Sequence, residues 1–223
     1  MGPVGEAAKL LRPMGAEEYL AWEASQEERH ELLEGVPYAM AGASEAHNLL
    51  VGNLYFLLRP AAQARGCRVF FSDMRLRVSE RTFYYPDLMV VCGEDPHPLY
   101  KERPCLVVEV LSEGTEATDR REKLWRYREI PSLQGYLLVE SRTRRVEGYF
   151  RGAEGWLYRV FEGEEVEVPS SRRACPWGLF TRGWSLPRGR FSFTLATLWG
   201  MRESGGRWAS ALGSRGRLST GSR

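Results

Sequence analysis

The feature that most constrains the fold is a single acid inside an apolar strand. Residues 104–111 read Pro-Cys-Leu-Val-Val-Glu-Val-Leu, so Glu109 is the one charged residue of the run. Continuous apolar runs of this length are typical of strands buried on both faces of a covered sheet. A buried carboxylate without a partner is costly, so Glu109 is expected to be paired, protonated or bound to a metal ion. The alternatives are an edge-strand glutamate that faces water and a buried salt bridge to an arginine.

A second acid interrupts the preceding apolar run. Asp87 follows Pro86 directly and precedes Leu-Met-Val-Val, although aspartate and proline are both poor strand residues. A proline there indicates an edge or a bulge, and the alternative for Asp87 is a plain turn residue. Two acids on neighbouring strands offer the carboxylate oxygens that hard cations prefer. The pattern therefore predicts a Mg²⁺ site built on Asp87 and Glu109.

A lysine on the following helix is the third candidate. Lys123 is one of three lysines in a chain with 28 arginines. Because the chain otherwise uses arginine so consistently, the presence of a lysine at position 123 favours a chemical role for that residue. The alternative is an exposed helix residue that pairs with Asp119 four positions earlier.

The order of predicted elements indicates an α/β fold with a partly parallel sheet. The strand–helix–strand crossover over residues 104–140 carries the parallel part. Helices are predicted over residues 16–24, from Ser44 to Arg59 or kinked onward to Gly66, and from Thr118 or Asp119 to Ile130. Strands are predicted over 30–40 (a pair or one bent strand), 67–78, 82–92, 104–111, 133–140, 145–151 and 156–168.

Charge is distributed unevenly along the chain. Residues 171–223 hold ten arginines and one acid, a formal charge of +9, whereas residues 1–170 carry 21 basic and 28 acidic residues, or −7. The front part is therefore not a generally basic nucleic-acid binder, and an anionic partner must be met locally or by the tail. A local basic patch could be formed by Arg75, Arg77, Arg120, Arg121, Arg126 and Arg128.

The amino-acid composition of the chain changes after residue 170. Four of the seven tryptophans lie in this Arg-, Gly- and Ser-rich segment, and residues 191–199 are the one stretch that suits a strand or a helix. We expect residues 171–223 to form an extension that is partly disordered or packed on the core or on a partner. A shifted reading frame in a GC-rich gene is an alternative origin for this composition.

The cysteines and the hydropathy pattern predict a cytoplasmic protein without a membrane span. No two of the four cysteines have CxxC spacing, which favours buried, reduced thiols in a reducing compartment. No segment approaches the ~18 apolar residues of a transmembrane helix. The chain also lacks a charged start followed by an apolar run, so no signal peptide is expected.

Together these motifs resemble a known nuclease family. Pro86-Asp87, then Glu109, then a helix bearing Lys123 is similar to the PD-(D/E)XK nuclease superfamily. The resemblance to the restriction-endonuclease-like Uma-two family is closer and covers roughly residues 15–168. It rests on residues 31–35 with His47, 86–91, 104–112, 119–127 and 136–139. Leu111 occupies the superfamily's lysine position, and the Uma-two pattern places that lysine on the next helix, at Lys123.

The resemblance implies a restriction-endonuclease-like mixed β-sheet flanked by helices over residues 1–170, followed by the basic extension 171–223. It implies Asp87 and Glu109 as ligands of Mg²⁺ or Mn²⁺, Lys123 as a catalytic residue, and Glu31 and His47 as accessory residues. The expected reaction is phosphodiester hydrolysis in nucleic acid, with DNA favoured and a homodimer open as the assembly. Two other classes remain: a non-catalytic binding module for nucleic acid or protein, and a hydrolase of small phosphate esters. Convergence of Asp87, Glu109 and Lys123 around one space would favour catalysis.

Overall fold

A computed structural model of the protein describes residues 12–162, 165–169 and 190–194. The helical elements are α1 (Ala16–Glu23), α2 (Glu45–Gln63), α3 (Glu116–Thr118), a π-helical turn (Asp119–Lys123) and α4 (Leu124–Glu129). The strands are β1 (His30–Leu33), β2 (Val36–Ala39), β3 (Cys67–Phe71), β4 (Arg75–Ser79), β5 (Thr82–Tyr84), β6 (Leu88–Cys92), β7 (Tyr100–Lys101), β8 (Pro104–Leu111), β9 (Gly135–Glu140), β10 (Arg145–Gly152), β11 (Gly155–Glu162), β12 (Glu165–Pro169) and β13 (Arg190–Thr194).

The main sheet has six strands in the order β11-β10-β9-β8-β6-β3. Strand β8 lies inside it and every one of its residues is buried, as the apolar run predicts. β8 pairs in parallel with β9 and antiparallel with β6, which confirms a mixed sheet with its parallel part at the 104–140 crossover.

Two apolar layers cover this sheet. On one face, Leu50, Leu54 and Leu58 of α2 pack against inward residues such as Val90 and Val108. The other face forms a second core, whose members include Leu76, Tyr84, Val107, Leu111, Tyr127 and Tyr136. Glu109 shares the face of Val107 and Leu111 because side chains two residues apart on a strand point the same way.

A smaller sheet has the order β2-β1-β5-β4-β7. Strand β1 lies between β2 and β5, and β4 pairs with β7 in parallel. This sheet brings Glu31, in β1, towards the second face of the main sheet.

Two segments that the sequence predicts as strands, the first with an irregularity near Asp73, are each divided between the sheets. Residues 67–78 break at Ser72 and Asp73, whose φ angles of 40° and 22° lie in the left-handed region and redirect the chain from β3 to β4. Residues 82–92 break after β5 at Tyr85-Pro86-Asp87, where the ring of Pro86 removes a backbone donor. Asp87 therefore lies at the point where the chain passes from the small sheet to the large one.

The prediction of reduced thiols is wrong for one pair of cysteines. Cys67 in β3 lies opposite Cys92 in β6, and the two form a disulfide with a Cα–Cα distance of 4.3 Å. Cys105 in β8 is buried outside this disulfide, with its Sγ 3.3 Å from that of Cys92. The register of two strands that are 25 residues apart creates the pairing, and local cysteine spacing carries no sign of it. Cys175 lies outside the described residues.

The chain after β11 is described only in part. The predicted strand 156–168 is divided into β11 and β12, and β12 pairs with β13 in an antiparallel ladder. Residues 190–194 are thus strand, which resolves the strand-or-helix alternative for that part of 191–199. Gly163 lies outside the described residues, and so does all of the extension 171–223 except residues 190–194. None of the helices described is long and apolar enough to span a membrane.

Candidate metal centre

Asp87 lies directly before β6, beside Glu109 of the paired strand β8. The Asp87 Oδ2 atom accepts a hydrogen bond from the Val110 amide at 2.7 Å, and the Asp87 amide contacts Glu109 Oε2 at 3.3 Å. The Asp87 side chain is 22% exposed and that of Glu109 only 3%. The first acid therefore forms the entrance and the second the floor of the same site.

Glu109 is a buried carboxylate surrounded by polar partners. Its Oε1 accepts a hydrogen bond from the Tyr127 hydroxyl at 2.9 Å and lies 3.3 Å from Lys123 Nζ. Burial raises the pKa of Glu109 well above its ordinary value, and the nearby carboxylates add to this against the opposing charge of Lys123. The alternative of an edge-strand glutamate in water is wrong, and the salt bridge is to a lysine rather than an arginine.

Lys123 is buried at the centre of three carboxylates. Its Nζ lies 3.1 Å from Glu31 Oε1, 3.1 Å from Asp119 Oδ1 and 3.3 Å from Glu109 Oε1. Burial, the largest single influence, lowers the pKa of Lys123, but the three acids together raise it well above its ordinary value. The ion pair to Asp119 exists, yet the alternative of an exposed helix residue is wrong because Lys123 points into the protein.

The helix that carries Lys123 turns three polar residues towards Glu109. Asp119, Lys123 and Tyr127 follow one another at four-residue intervals and are all buried. Residues four apart on a helix lie on the same side, so the inward direction of one is shared by all three. The Tyr136 hydroxyl donates to the Asp119 carbonyl at 3.0 Å and fixes the π-helical turn against β9.

The two accessory residues predicted from sequence also reach this cluster. Glu31 Oε1 accepts from the Tyr85 amide at 3.2 Å in addition to its contact with Lys123. His47 Nε2 lies 3.2 Å from Asp87 Oδ2, and this contact raises the pKa of His47. His47 belongs to the first turn of α2, where its amide donates to the N-cap oxygen of Ser44.

Asp119 is the member of the site that sequence reasoning did not assign to it. It entered the sequence analysis only as a helix cap and a partner of Lys123. Its spacing from Lys123 carried the signal, because an inward Lys123 requires an inward residue four positions earlier. With Asp119 included, the cluster holds four acids (Glu31, Asp87, Glu109, Asp119) against the ammonium of Lys123 and the imidazole of His47. The formal surplus is three negative charges when His47 is neutral and two when it is protonated.

The donor set suits a hard divalent cation. Asp87 and Glu109 supply carboxylate oxygens on adjoining strands, and Mg²⁺ is commonly held by one or two carboxylates together with several waters. Within the described residues no group of three or more His, Cys, Asp or Glu is arranged to hold a metal by itself. A cation here would therefore have the two predicted ligands and complete its shell with water.

A second polar cluster lies at the other end of the same helical segment. Arg120 contacts Glu116 at 2.8 Å, Glu140 at 2.6 Å and Glu147 at 2.9 Å. With Arg142 and Arg145 these residues line an open depression of about 680 Å³. Three arginines face three glutamates, so this cluster is formally neutral.

The arginines that could form a basic patch are largely matched by acids. Arg77 pairs with Glu80 and Glu102, Arg120 with the three glutamates above, and Arg126 with Glu34 and Glu122. Arg75 and Arg128 lie over aromatic rings. Phosphate binding through these six positions would therefore compete with existing ion pairs at three of them.

Comparison with known proteins adds three findings. A family model, Uma2, described as "Putative restriction endonuclease", matches residues 16–182. Two proteins of Synechocystis sp. are similar: uncharacterized protein sll1609 (38% identity over 162 residues, 70% of this chain and 92% of its own) and uncharacterized protein slr1290 (36% over 158 residues, 68% and 82%). A solved structure described as a putative nuclease belonging to DUF820 from Anabaena variabilis has a TM-score of 0.63 at 16% identity, covering 84% of this chain and 98% of its own. The match in fold confirms the predicted mixed α/β architecture.

Proposed function

The chain belongs to the Uma2 family of restriction-endonuclease-like proteins, and on this premise we propose that it is a metal-dependent nuclease centred on Asp87 and Glu109. Its fold is restriction-endonuclease-like, as the sequence predicts. The proposal combines the nuclease activity that the family suggests with the cluster of acids around Lys123 in this chain.

The observation that carries the proposal is the charge imbalance of the cluster. Glu31, Glu109 and Asp119 share the buried ammonium of Lys123, while Asp87 beside them contacts His47. An uncompensated buried charge costs several kcal/mol. A divalent cation between Asp87 and Glu109 would offset most of this surplus. The site therefore gains stability from the ion that the proposed chemistry requires.

Each residue of the cluster has a distinct part in this proposal. Asp87 and Glu109 would hold Mg²⁺ or Mn²⁺, which when bound supplies an activated water and shields the phosphate charge. His47 orients the Asp87 carboxylate through the 3.2 Å contact to Oδ2, and it lies on the entrance side where a phosphate would approach. Lys123 holds Glu31, Asp119 and Glu109 in position and places positive charge beside the site, where it stabilises charge that develops on phosphorus.

The finer statements about substrate and setting are also proposals. We infer DNA as the favoured nucleic acid, action in the cytoplasm and assembly as a homodimer. We also infer that the chemistry belongs to residues 1–170 and that residues 171–223 form a basic extension. A chain ending at Pro169 should then fold and retain Mn²⁺ binding, and an insoluble product would contradict this division.

A specific observation favours a second function, a non-catalytic binding module. Arg77, Arg120 and Arg126, three of the six arginines that could form a basic patch, are engaged with glutamates. Nucleic-acid affinity normally depends on several Lys or Arg contacts to phosphate. In that reading the acidic cluster stabilises a fold that is used for recognition.

A cleavage assay separates the two functions. The full-length chain is incubated with single- and double-stranded DNA and RNA in Mg²⁺, Mn²⁺ or a chelator. We expect metal-dependent cleavage that Asp87→Asn and Lys123→Met abolish. Lys101→Met is the matched control, because Lys101 is also buried but binds the Asp95 and His97 carbonyls and no residue of the cluster. Metal-independent binding of nucleic acid without cleavage, unchanged in Asp87→Asn, would support the binding module instead.

A further inference from the structure

The outer face of α2 is unusually apolar for a helix at a protein surface. Its inner face packs on the main sheet through Leu50, Leu54 and Leu58. On the outer face Leu49 is 59% exposed and Phe56 is 76% exposed. Large exposed side chains that share one face, rather than being scattered singly, are typical of an interaction surface.

The exposed residues follow the spacing of a helix-packing seam. Glu45, Leu49, Gly52, Phe56 and Arg59 occur at intervals of four, three, four and three residues, and all are exposed. This alternation places them along one line of the helix, as the a and d positions do in a helix pair. We call these five residues the α2 seam.

The α2 seam is complementary to itself when it is reversed. Its acid, Glu45, lies seven residues before Gly52, and its base, Arg59, lies seven residues after it. Leu49 and Phe56 flank the same centre. Two copies related by a two-fold axis near Gly52 would therefore pair Glu45 of each with Arg59 of the other and pack Leu49 against Phe56. Within the described residues neither Glu45 nor Arg59 forms an ion pair, so both charges remain available.

From these observations we propose that the α2 seam is a dimer interface, in which a second copy of this chain packs its own α2 antiparallel across Gly52. A two-fold dimer requires one patch that complements itself, and the order of charge and apolar residues in the seam meets that requirement. Gly52 contributes at the centre, where a Cβ would have no neighbour within 4 Å in the single chain and where its absence lets two helices approach closely. Phe71, 49% exposed with its ring 4.5 Å from that of Tyr55, extends the apolar area beside the helix.

This inference names the surface for the homodimer of the proposed function, but it does not depend on catalysis. His47 lies on the same helix, two residues from Glu45. A dimer across Gly52 would therefore set two Asp87 sites on either side of one two-fold axis. Two sites in such an arrangement could cut both strands of one duplex. If the chain is not a nuclease, the association through the α2 seam stands on its own.

Charge reversal tests the proposal directly. Sedimentation velocity of the full-length chain from low to high micromolar concentration should show a monomer–dimer equilibrium. Glu45→Arg and Arg59→Glu each place like charges opposite one another and should weaken the dimer at least severalfold, whereas the double variant should recover it. Both reversals oppose the α2 dipole, so recovery in the double variant cannot come from a more stable helix.

Substitutions at Gly52 and Phe56 of the α2 seam separate the effect on association from the effect on folding. Gly52→Leu should leave the monomer folded, since its Cβ meets open space, yet abolish the dimer by holding the helices apart. Phe56→Glu should do the same, and Trp125→Glu is the matched control because Trp125 is 68% exposed but lies in α4, outside the seam. A wild-type monomer at every concentration overturns the proposal. So does a Phe56→Glu variant whose only change is a lower melting temperature, because another segment of the same chain would then cover the face.

Discussion

Two polar clusters built on the same helical segment, one buried and one open to solvent, differ in their charge balance. Around Lys123, three acids share one ammonium and a fourth acid, Asp87, contacts His47, with the side chains of Lys123 and Glu109 no more than 6% exposed. Around Arg120, three glutamates face three arginines, and the Arg120 side chain is 26% exposed. The balanced cluster is complete without a ligand, whereas the unbalanced one would be compensated by the further cation that we propose. The excess of acids, and not their burial alone, is the basis for the metal site that we propose.

Glu109 and Glu147, one glutamate from each cluster, show the same contrast in their pKa values. In both Glu109 and Glu147, burial is the largest influence and raises the pKa. At Glu147 the hydrogen bonds from Tyr158 and Arg120 outweigh burial, and its pKa is lowered. At Glu109 the neighbouring acids reinforce burial, and its pKa is raised. The groups around each carboxylate therefore decide whether its pKa is raised or lowered.

The largest expected effect comes from removing the central cation of each cluster. Lys123→Met leaves three carboxylates without their shared partner in a buried site, so we expect a loss of about 3–5 kcal/mol in the free energy of unfolding. Arg120→Met also removes three ion pairs, but water reaches the freed acids, and we expect about 1–2 kcal/mol. Urea denaturation of both variants measures this difference.

Addition of Mn²⁺ sharpens this first comparison. A cation bound at Asp87 and Glu109 would compensate part of the lost charge and raise the melting temperature of Lys123→Met, because a ligand that binds only the folded state stabilises it. Arg120→Met should show no more response than the wild type. Equal stability losses in the two variants, with no effect of Mn²⁺ on either, would show that the two clusters do not differ in their capacity to bind a cation.

Replacement of one glutamate in each cluster gives the next effect. Glu109→Gln removes a predicted ligand, and we expect Mn²⁺ affinity to fall at least about 100-fold, beyond the loss usual for a group that only supports a ligand. The fold should remain intact or become slightly more stable, because one of several clustered acids is neutralised. Glu147→Gln should bind Mn²⁺ as the wild type does. Calorimetric titration measures both affinities, and unchanged binding by Glu109→Gln would argue against ligation by Glu109.

The sequence was sufficient to predict the members of the site that lie within regular patterns. Glu109 stood out because it breaks an apolar run, and Lys123 because lysine is rare in this chain. The sequence did not reveal that residues 82–92 change sheets at Pro86, since an apolar run interrupted once reads equally well as one strand. Asp119 was missed because the same spacing fits an exposed helix pair. The Cys67–Cys92 disulfide depends on strand register, which local spacing does not encode.

A smaller effect is expected from the residue that supports Asp87. His47→Gln keeps a hydrogen-bonding side chain but changes the position and charge of the group that contacts Asp87 Oδ2. We expect Mn²⁺-dependent cleavage to fall by about 10- to 100-fold, as for other groups that orient a metal ligand. Tyr158→Phe is its counterpart in the balanced cluster, because Tyr158 donates to Glu147 at 2.8 Å. It should leave cleavage unchanged, and equal losses in both variants would point to a general effect on folding.

The smallest effect is the acid response of the balanced cluster. The pKa of Glu147 is lower in the folded protein than in the unfolded chain, so its carboxylate stabilises the fold above the ordinary glutamate pKa of about 4.3. That stability is lost as the pH falls through the lower, folded-state pKa. Glu147→Gln should therefore unfold with about 1 kcal/mol less free energy than the wild type at neutral pH, a modest value because Arg120 and Arg145 are partly exposed. Urea denaturation from pH 7 to pH 3 should show the two proteins converging as the acid limit is approached. If the difference in free energy of unfolding between the two proteins grows towards low pH, the arginines do not hold Glu147 in its charged form. The opposite pKa shifts of Glu147 and Glu109 would then not reflect the charge balance of the two clusters.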